Sequence, residues 1–107
     1  MSIETKSYKM IKIIERIVEL LGISDEPDSI YYHDFLVYIF GELKKPHELN
    51  KIAENILSVY GGMCTFGDVV IYKNGEYLKE EHREFDKLRT KLFIQCEEAM
   101  EEARGAE

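Results

Sequence analysis

Between Tyr60 and Leu78 the chain reads Tyr-Gly-Gly-Met-Cys-Thr-Phe-Gly-Asp-Val-Val-Ile-Tyr-Lys-Asn-Gly-Glu-Tyr-Leu. Here alone the periodicity changes from that of a helix to that of a strand. Three of the seven glycines, at 61, 62 and 67, fall within seven residues. Glycine reaches backbone angles closed to other residues, so such a cluster marks sharp reversal or close approach of something to the backbone. The stretch therefore divides a helical first part from a helical end, and a special site is sought there first.

Upstream, Met10, Ile11, Ile14, Ile17, Val18 and Leu21 recur at the spacing of one helix face, with Lys12, Glu15, Arg16 and Glu19 opposite. This predicts a helix over 7–21, capped by Ser7 and closed by Gly22 in a left-handed conformation. Residues 23–29 read as a loop ending in a cap at Asp28 or Ser29. The second helix, 30–43, is apolar nearly all round (Tyr31, Phe35, Leu36, Val37, Tyr38, Ile39, Phe40, Leu43), a pattern expected of a central helix. Pro46 suits the first turn of a third helix carrying Leu49, Ile52, Ala53, Ile56, Leu57 and Tyr60, with Gly61 as its left-handed cap. The short link Lys45-Pro46 makes the second and third helices close neighbours. Asn74-Gly75 is a strong hairpin signal, pairing 70–72 with 76–78. The last helix, 80–103, shows Phe85, Leu88, Leu92, Phe93, Cys96, Met100 and Ala103 on one face. The expected fold is one mainly α domain over 1–107. Four helices pack together, with the glycine-rich turn and a short β-hairpin between the third and fourth.

Charge narrows the partners. The net charge is −7, with 7 basic and 10 acidic groups in residues 1–60 and 7 and 11 in 61–107. Affinity for nucleic acid begins with Lys and Arg neutralising phosphates, and the largest basic cluster is Lys44-Lys45, so direct binding to DNA or RNA is not expected. An acidic surface suits a basic protein partner. The longest apolar run, Phe35 to Phe40, is far too short to span a membrane. The opening residues lack the apolar core of a signal peptide, and two cysteines make no disulfide framework, which points to the cytoplasm.

Candidate chemistry concentrates in the glycine-rich stretch. Cys64, between glycines, could act as a nucleophile with His33, His47 or His82 as base, yet no spacing selects one of these histidines and a buried, inert thiol is the ordinary reading. The glycines do not form a phosphate loop, because no Lys-Ser/Thr follows them and no strand precedes them. The histidines lack metal-ligand spacing, so neither metal nor cofactor is expected. Asp68 follows Gly67, and its carboxylate suits the backbone N–H groups of its own turn. Together Tyr60, Cys64, Asp68 and Tyr72 are the polar groups that a small-molecule pocket or enzyme site built on Gly61–Asp68 would use. On the last helix, Glu97, Glu98, Glu101 and Glu102 form like-charged pairs near the C-terminal end, where the helix dipole also opposes them. A solvated face explains them, and so does a basic partner.

At Tyr60-Gly61-Gly62-Met63, Phe66 and Asp68-Val69-Val70-Ile71 the chain resembles a group of small bacterial domains without an assigned activity. Their shared segment reads Tyr-Gly-Gly-Met-Gly-Ser-Phe-Asn-Asp-Leu-Val-Ile at the end of a helix. This chain has Cys64 for glycine, Thr65 for serine and Gly67 for asparagine, so a role needing bare backbone at 64 does not carry over. The resemblance implies a bacterial or phage origin and a fold, but no reaction. The functional expectation is a non-enzymatic protein-binding module, of immunity or inhibitor type, whose acidic surface masks a basic partner. A pocket at Gly61–Asp68 is the alternative, and a homodimer burying the apolar surface of the second helix is the third reading.

Overall fold

A computed structural model describes residues 3–60 and 66–105, with side chains from Lys6 onward. The helices are α1 (Ile3–Ile23), α2 (Pro27–Leu43), α3 (Leu49–Leu57) and α4 (Lys79–Gly105). Between α3 and α4 lie a 3-10 turn, Phe66–Asp68, and a two-stranded antiparallel hairpin of β1 (Tyr72–Lys73) and β2 (Glu76–Tyr77). Four helices with the hairpin between the third and fourth match the expected fold class.

The helices form where the apolar spacing put them; α1, α2 and α4 run longer than expected, whereas α3 is shorter and leaves Pro46 and Tyr60 outside it. Ser7 does not cap α1; it is buried inside the helix, which starts at Ile3. Gly22 is helical and lies against His33 of α2, because Leu20 and Leu21 are fully packed and hold the last turn in place. Asp28 and Ser29 are not caps either. Pro27 opens α2 behind Glu26, and the Ser29 hydroxyl turns inward to donate to Ser24 Oγ at 2.8 Å. Pro46 stays in the connection, and α3 begins two residues after His47, with Glu48 at its N-cap. Gly61 and Gly62 lie outside the described residues.

α1 runs between α2 and α4, and α3 packs mainly on α4. One core gathers Met10, Ile14, Ile17 and Leu20 of α1, Leu36 and Ile39 of α2, Ile52 and Ile56 of α3, and Phe85, Leu92 and Cys96 of α4. With 27 residues, α4 is about 40 Å long, and it stretches the molecule to 48 × 26 × 20 Å. The expectation of a central second helix is overturned. α2 buries Tyr32, Leu36, Ile39 and Leu43, while its other apolar face is open. It meets α3 only slightly, since a five-residue connection separates them.

The segment after the glycines is placed by its side chains. Phe66 sits in the core with its ring against Tyr32, Tyr60 and Phe85, at centroid distances of 5.3, 5.3 and 5.6 Å. The hairpin is shorter than expected: Tyr72 pairs with Tyr77 and Lys73 with Glu76, and the Leu78 N–H donates to Ile71 O at 3.0 Å. Asn74 and Gly75 take φ of 53° and 78°, the left-handed pair that a two-residue turn needs. The hairpin does not stand alone. Asp25 N–H donates to Tyr72 O at 3.0 Å, Tyr72 N–H to Ser24 Oγ at 3.2 Å, and Asn74 N–H to Asp25 Oδ2 at 2.8 Å.

Candidate functional site

The outer face of α2 is the most unusual surface of the molecule. Ile30, Tyr31, Val37 and Tyr38 are 52%, 64%, 46% and 57% exposed, although all four are large and apolar. Together they show about 400 Å² of side-chain surface, the size at which an exposed patch on a monomer is often functional. Asp34 lies between the two tyrosines, its Oδ1 3.0 Å from His33 Nδ1. The Tyr38 hydroxyl bonds to the Glu42 carboxylate, which holds the phenol proton above its ordinary range. α2 carries Asp28, Asp34 and Glu42 and no Lys or Arg. Next to its C-terminal end a groove of about 610 Å³ opens between Tyr38, Glu42, His47, Lys51 and Asn55.

The residues singled out in the glycine-rich stretch do not converge. Tyr60 lines a hollow of about 230 Å³ with Asp86, Arg89 and Phe93, whereas Asp68 and Tyr72 line another of about 190 Å³ with Glu26 and Asp28. Both are smaller than ordinary small-molecule pockets. Tyr60 is occupied structurally: its hydroxyl donates to Arg89 O at 2.8 Å, and burial pushes its proton affinity up. Cys64 lies outside the described residues. Cys96 is fully buried, and burial raises its thiol to about 12, so it is an inert core residue.

Of the four glutamates singled out near the C-terminal end of α4, Glu97, Glu98 and Glu101 are exposed, with no ion pair among the described residues. Glu102 is engaged with Lys6, a nearly buried lysine of α1. The exposed carboxylates are therefore available to a basic surface, and Glu102 is already neutralised.

Two polar constellations escaped the sequence reading. Arg89 is buried, with Nη1 donating to Phe66 O at 2.7 Å and Val69 O at 3.1 Å, and Nη2 to Asp86 Oδ1 at 2.8 Å. Its guanidinium also lies 4.3 Å from the centre of the Phe85 ring. Its signal was the spacing of Phe85, Arg89, Leu92 and Cys96, the steps of four and three of a buried stripe. The second is Ser7 with His47. His47 Nδ1 is 2.6 Å from Lys45 O, which can only accept, so Nε2 accepts from the Ser7 hydroxyl at 2.9 Å. That is the order of a nucleophile, a base and an orienting group. Ser7 is only 6% exposed and its own N–H belongs to the α1 ladder, so that N–H is not available as an oxyanion donor. The pair ties α1 to the connection before α3.

Residues 42–79 match a domain of unknown function, DUF6966. No curated protein and no solved structure matches the chain. The DUF6966 match runs from the end of α2 through α3, the glycines and the hairpin to the first residue of α4. It leaves out α1, most of α2, and Arg89. Among the described residues no helix is long and apolar enough to cross a membrane, and no group of His, Cys, Asp and Glu could hold a metal ion.

Proposed function

We propose that this protein is a non-enzymatic protein-binding module that masks a basic partner, an inhibitor or immunity-type role exercised in the cytoplasm. The observation that carries this reading is the uncovered apolar face of α2, bordered by carboxylates and by no basic residue of that helix. Tyrosines on a rigid helix supply large contact area at low entropic cost, and they are enriched where interfaces concentrate their energy. The charge supports the same partner class: −7 overall, with Glu97, Glu98 and Glu101 exposed on α4. Electrostatics of this kind speeds encounter and selects partners more than it tightens binding.

The test is site-specific photo-crosslinking in a lysate of the source cell, with the reactive residue placed at Tyr38, at Glu98 and, as a control, at Lys12 on the outer side of α1. One discrete adduct from Tyr38 or Glu98, absent from Lys12 and weakened as salt rises from about 50 to about 500 mM, is the expected result. The same diffuse pattern from all three positions would overturn the reading. So would an adduct whose yield ignores both salt and the change of Glu97, Glu98 and Glu101 to Gln.

A further inference from the structure

The outer face of α2 repeats with a period of seven. Ile30 and Val37, Tyr31 and Tyr38, and Asp34 and Gly41 are each one heptad apart, so the six residues form a single stripe about 17 Å long. Seven-residue spacing is what lets one helix mesh along another. The burial of Tyr32, Leu36, Ile39 and Leu43 on the opposite side is already explained by the core.

Gly41 in this stripe has no explanation inside the fold, and Asp34 touches only the neighbouring His33, at 3.0 Å, among the described residues. Glycine lowers helix stability relative to alanine, yet a Cβ at position 41 would meet nothing within 4 Å, so internal packing does not require it. Bare backbone on an outer face instead permits close approach from outside. Asp34 places a carboxylate with 76% of its side-chain surface exposed between two aromatic positions. A single polar residue in an otherwise apolar helix seam fixes register and partner identity.

Resting on the binding-module reading above, we propose that α2 receives one amphipathic helix of the basic partner, laid along Ile30 to Gly41. A Lys or Arg of that helix sits opposite Asp34, and a closely packed side chain lies over Gly41. Charge complementarity selects this occupant over a second copy of the chain. Two α2 faces brought together would bring up Asp34, with Glu42 at the edge, from each side, on molecules of net charge −7. The area is at the low end for specific complexes, so the association is weak and reversible, with a dissociation constant on the order of micromolar.

The test uses the full chain and three synthetic peptides of about five helical turns. One has a leucine stripe with a central lysine, the second has glutamate in that place, and the third has the composition of the first but is interrupted by prolines. Backbone amide NMR shifts map the site, and titration gives affinities. The expected result is shifts at residues 30–41 and binding of the lysine peptide about ten-fold tighter than of the glutamate peptide. Asp34→Lys should reverse that order, and Gly41→Leu should leave the fold intact while weakening binding about ten-fold. Equal affinity for the lysine and glutamate peptides overturns the proposal, as does the absence of binding by any peptide at about 1 mM. Equal binding of the proline-interrupted peptide at residues 30–41 removes the helical mode but leaves the binding-module reading standing. Shifts confined to Glu97, Glu98 and Glu101 do the same and move the contact to α4. A dimer in sedimentation with the stripe covered would overturn the choice of occupant.

Discussion

Replacing Arg89 with methionine tests what holds the segment after the glycines. The guanidinium satisfies two backbone carbonyls, Phe66 O and Val69 O, and pairs with Asp86 at its exposed edge. A hydrogen bond from a charged donor contributes about 1.5–3 kcal/mol, so losing both carbonyl partners removes about 3–6 kcal/mol. Relief of the cost of burying a guanidinium opposes this loss, and methionine keeps most of the contact with the Phe85 ring. Buried charges can often be exchanged for apolar groups without loss. Here, however, the partners left behind are main-chain oxygens that no apolar residue can satisfy: Val69 O loses the guanidinium, and Phe66 O keeps only the long bond from Val69 N–H at 3.4 Å. The net expectation is a destabilisation of about 2–4 kcal/mol, a large fraction of the stability of a small domain. At about 4–8 °C per kcal/mol the melting temperature falls by about 8–32 °C. Arg89→Lys should recover part of this, because one ammonium cannot hold both carbonyls and Asp86 in a planar fork. Thermal unfolding by circular dichroism gives the size. Hydrogen exchange gives the place, with protection lost first at residues 66–78. A methionine variant melting within about 3 °C of the parent would refute the argument that these carbonyls depend on Arg89.

Three further outcomes follow from single positions. Gly75→Ala, at φ of 78°, should cost about 1 kcal/mol in urea unfolding, while the neighbouring Asn74→Gly should be close to neutral. His82 has a buried Nδ1 without a hydrogen-bond partner among the described residues, and burial followed by the nearby Arg89 charge lowers its pKa from 6.5. The unfolded chain therefore takes up the proton more readily, so this residue's contribution is complete above about pH 6.5 and declines as the pH falls through and below that value. Unfolding measured from pH 8 to pH 5 should show a slope that His82→Gln flattens. Cys96, buried and raised to about 12, should resist a thiol reagent in the native protein and react at once in denaturant. Rapid native labelling at Cys96 would contradict its place in the core.

The helices were legible wherever one face alone is buried. Met10, Ile14 and Ile17, or Leu49, Ile52 and Ile56, announce their elements by spacing, and the structure buries those residues. Caps were less legible, because Ser7, Ser29 and Gly22 carry local preferences that packing overrides. Ser7 is taken by His47, Ser29 by Ser24, and Gly22 by the packed end of α1. α2 misled for a different reason. An all-round apolar pattern does not say how many of its faces find a neighbour, and here only one does. Arg89 was invisible to a reading that sorts charge outward, although its position in the stripe was legible. Of the glycines singled out for shape, Gly61 and Gly62 lie outside the described residues, and Gly67 sits in the 3-10 turn without a positive φ. What the stretch delivers to the core is Phe66, Val69 and Ile71, and the sequence reading had looked there for Tyr60, Asp68 and Tyr72 to act together.

The three bonds between the α1–α2 corner and the hairpin bear on where a self-sufficient unit begins and ends. Tyr72 and Asn74 take their partners from Ser24 and Asp25, nearly fifty positions earlier in the chain. Phe66 and Val69 take theirs from Arg89, twenty or so positions later. A peptide excised at residues 42 and 79 would therefore keep the ribbon's turn and the Phe66 N–H bond to Val59 O at 2.9 Å, but lose Ser24, Asp25 and Arg89. Such a fragment should be unstructured in water, and the stretch that most resembles other sequences is a graft that needs both arms of its host.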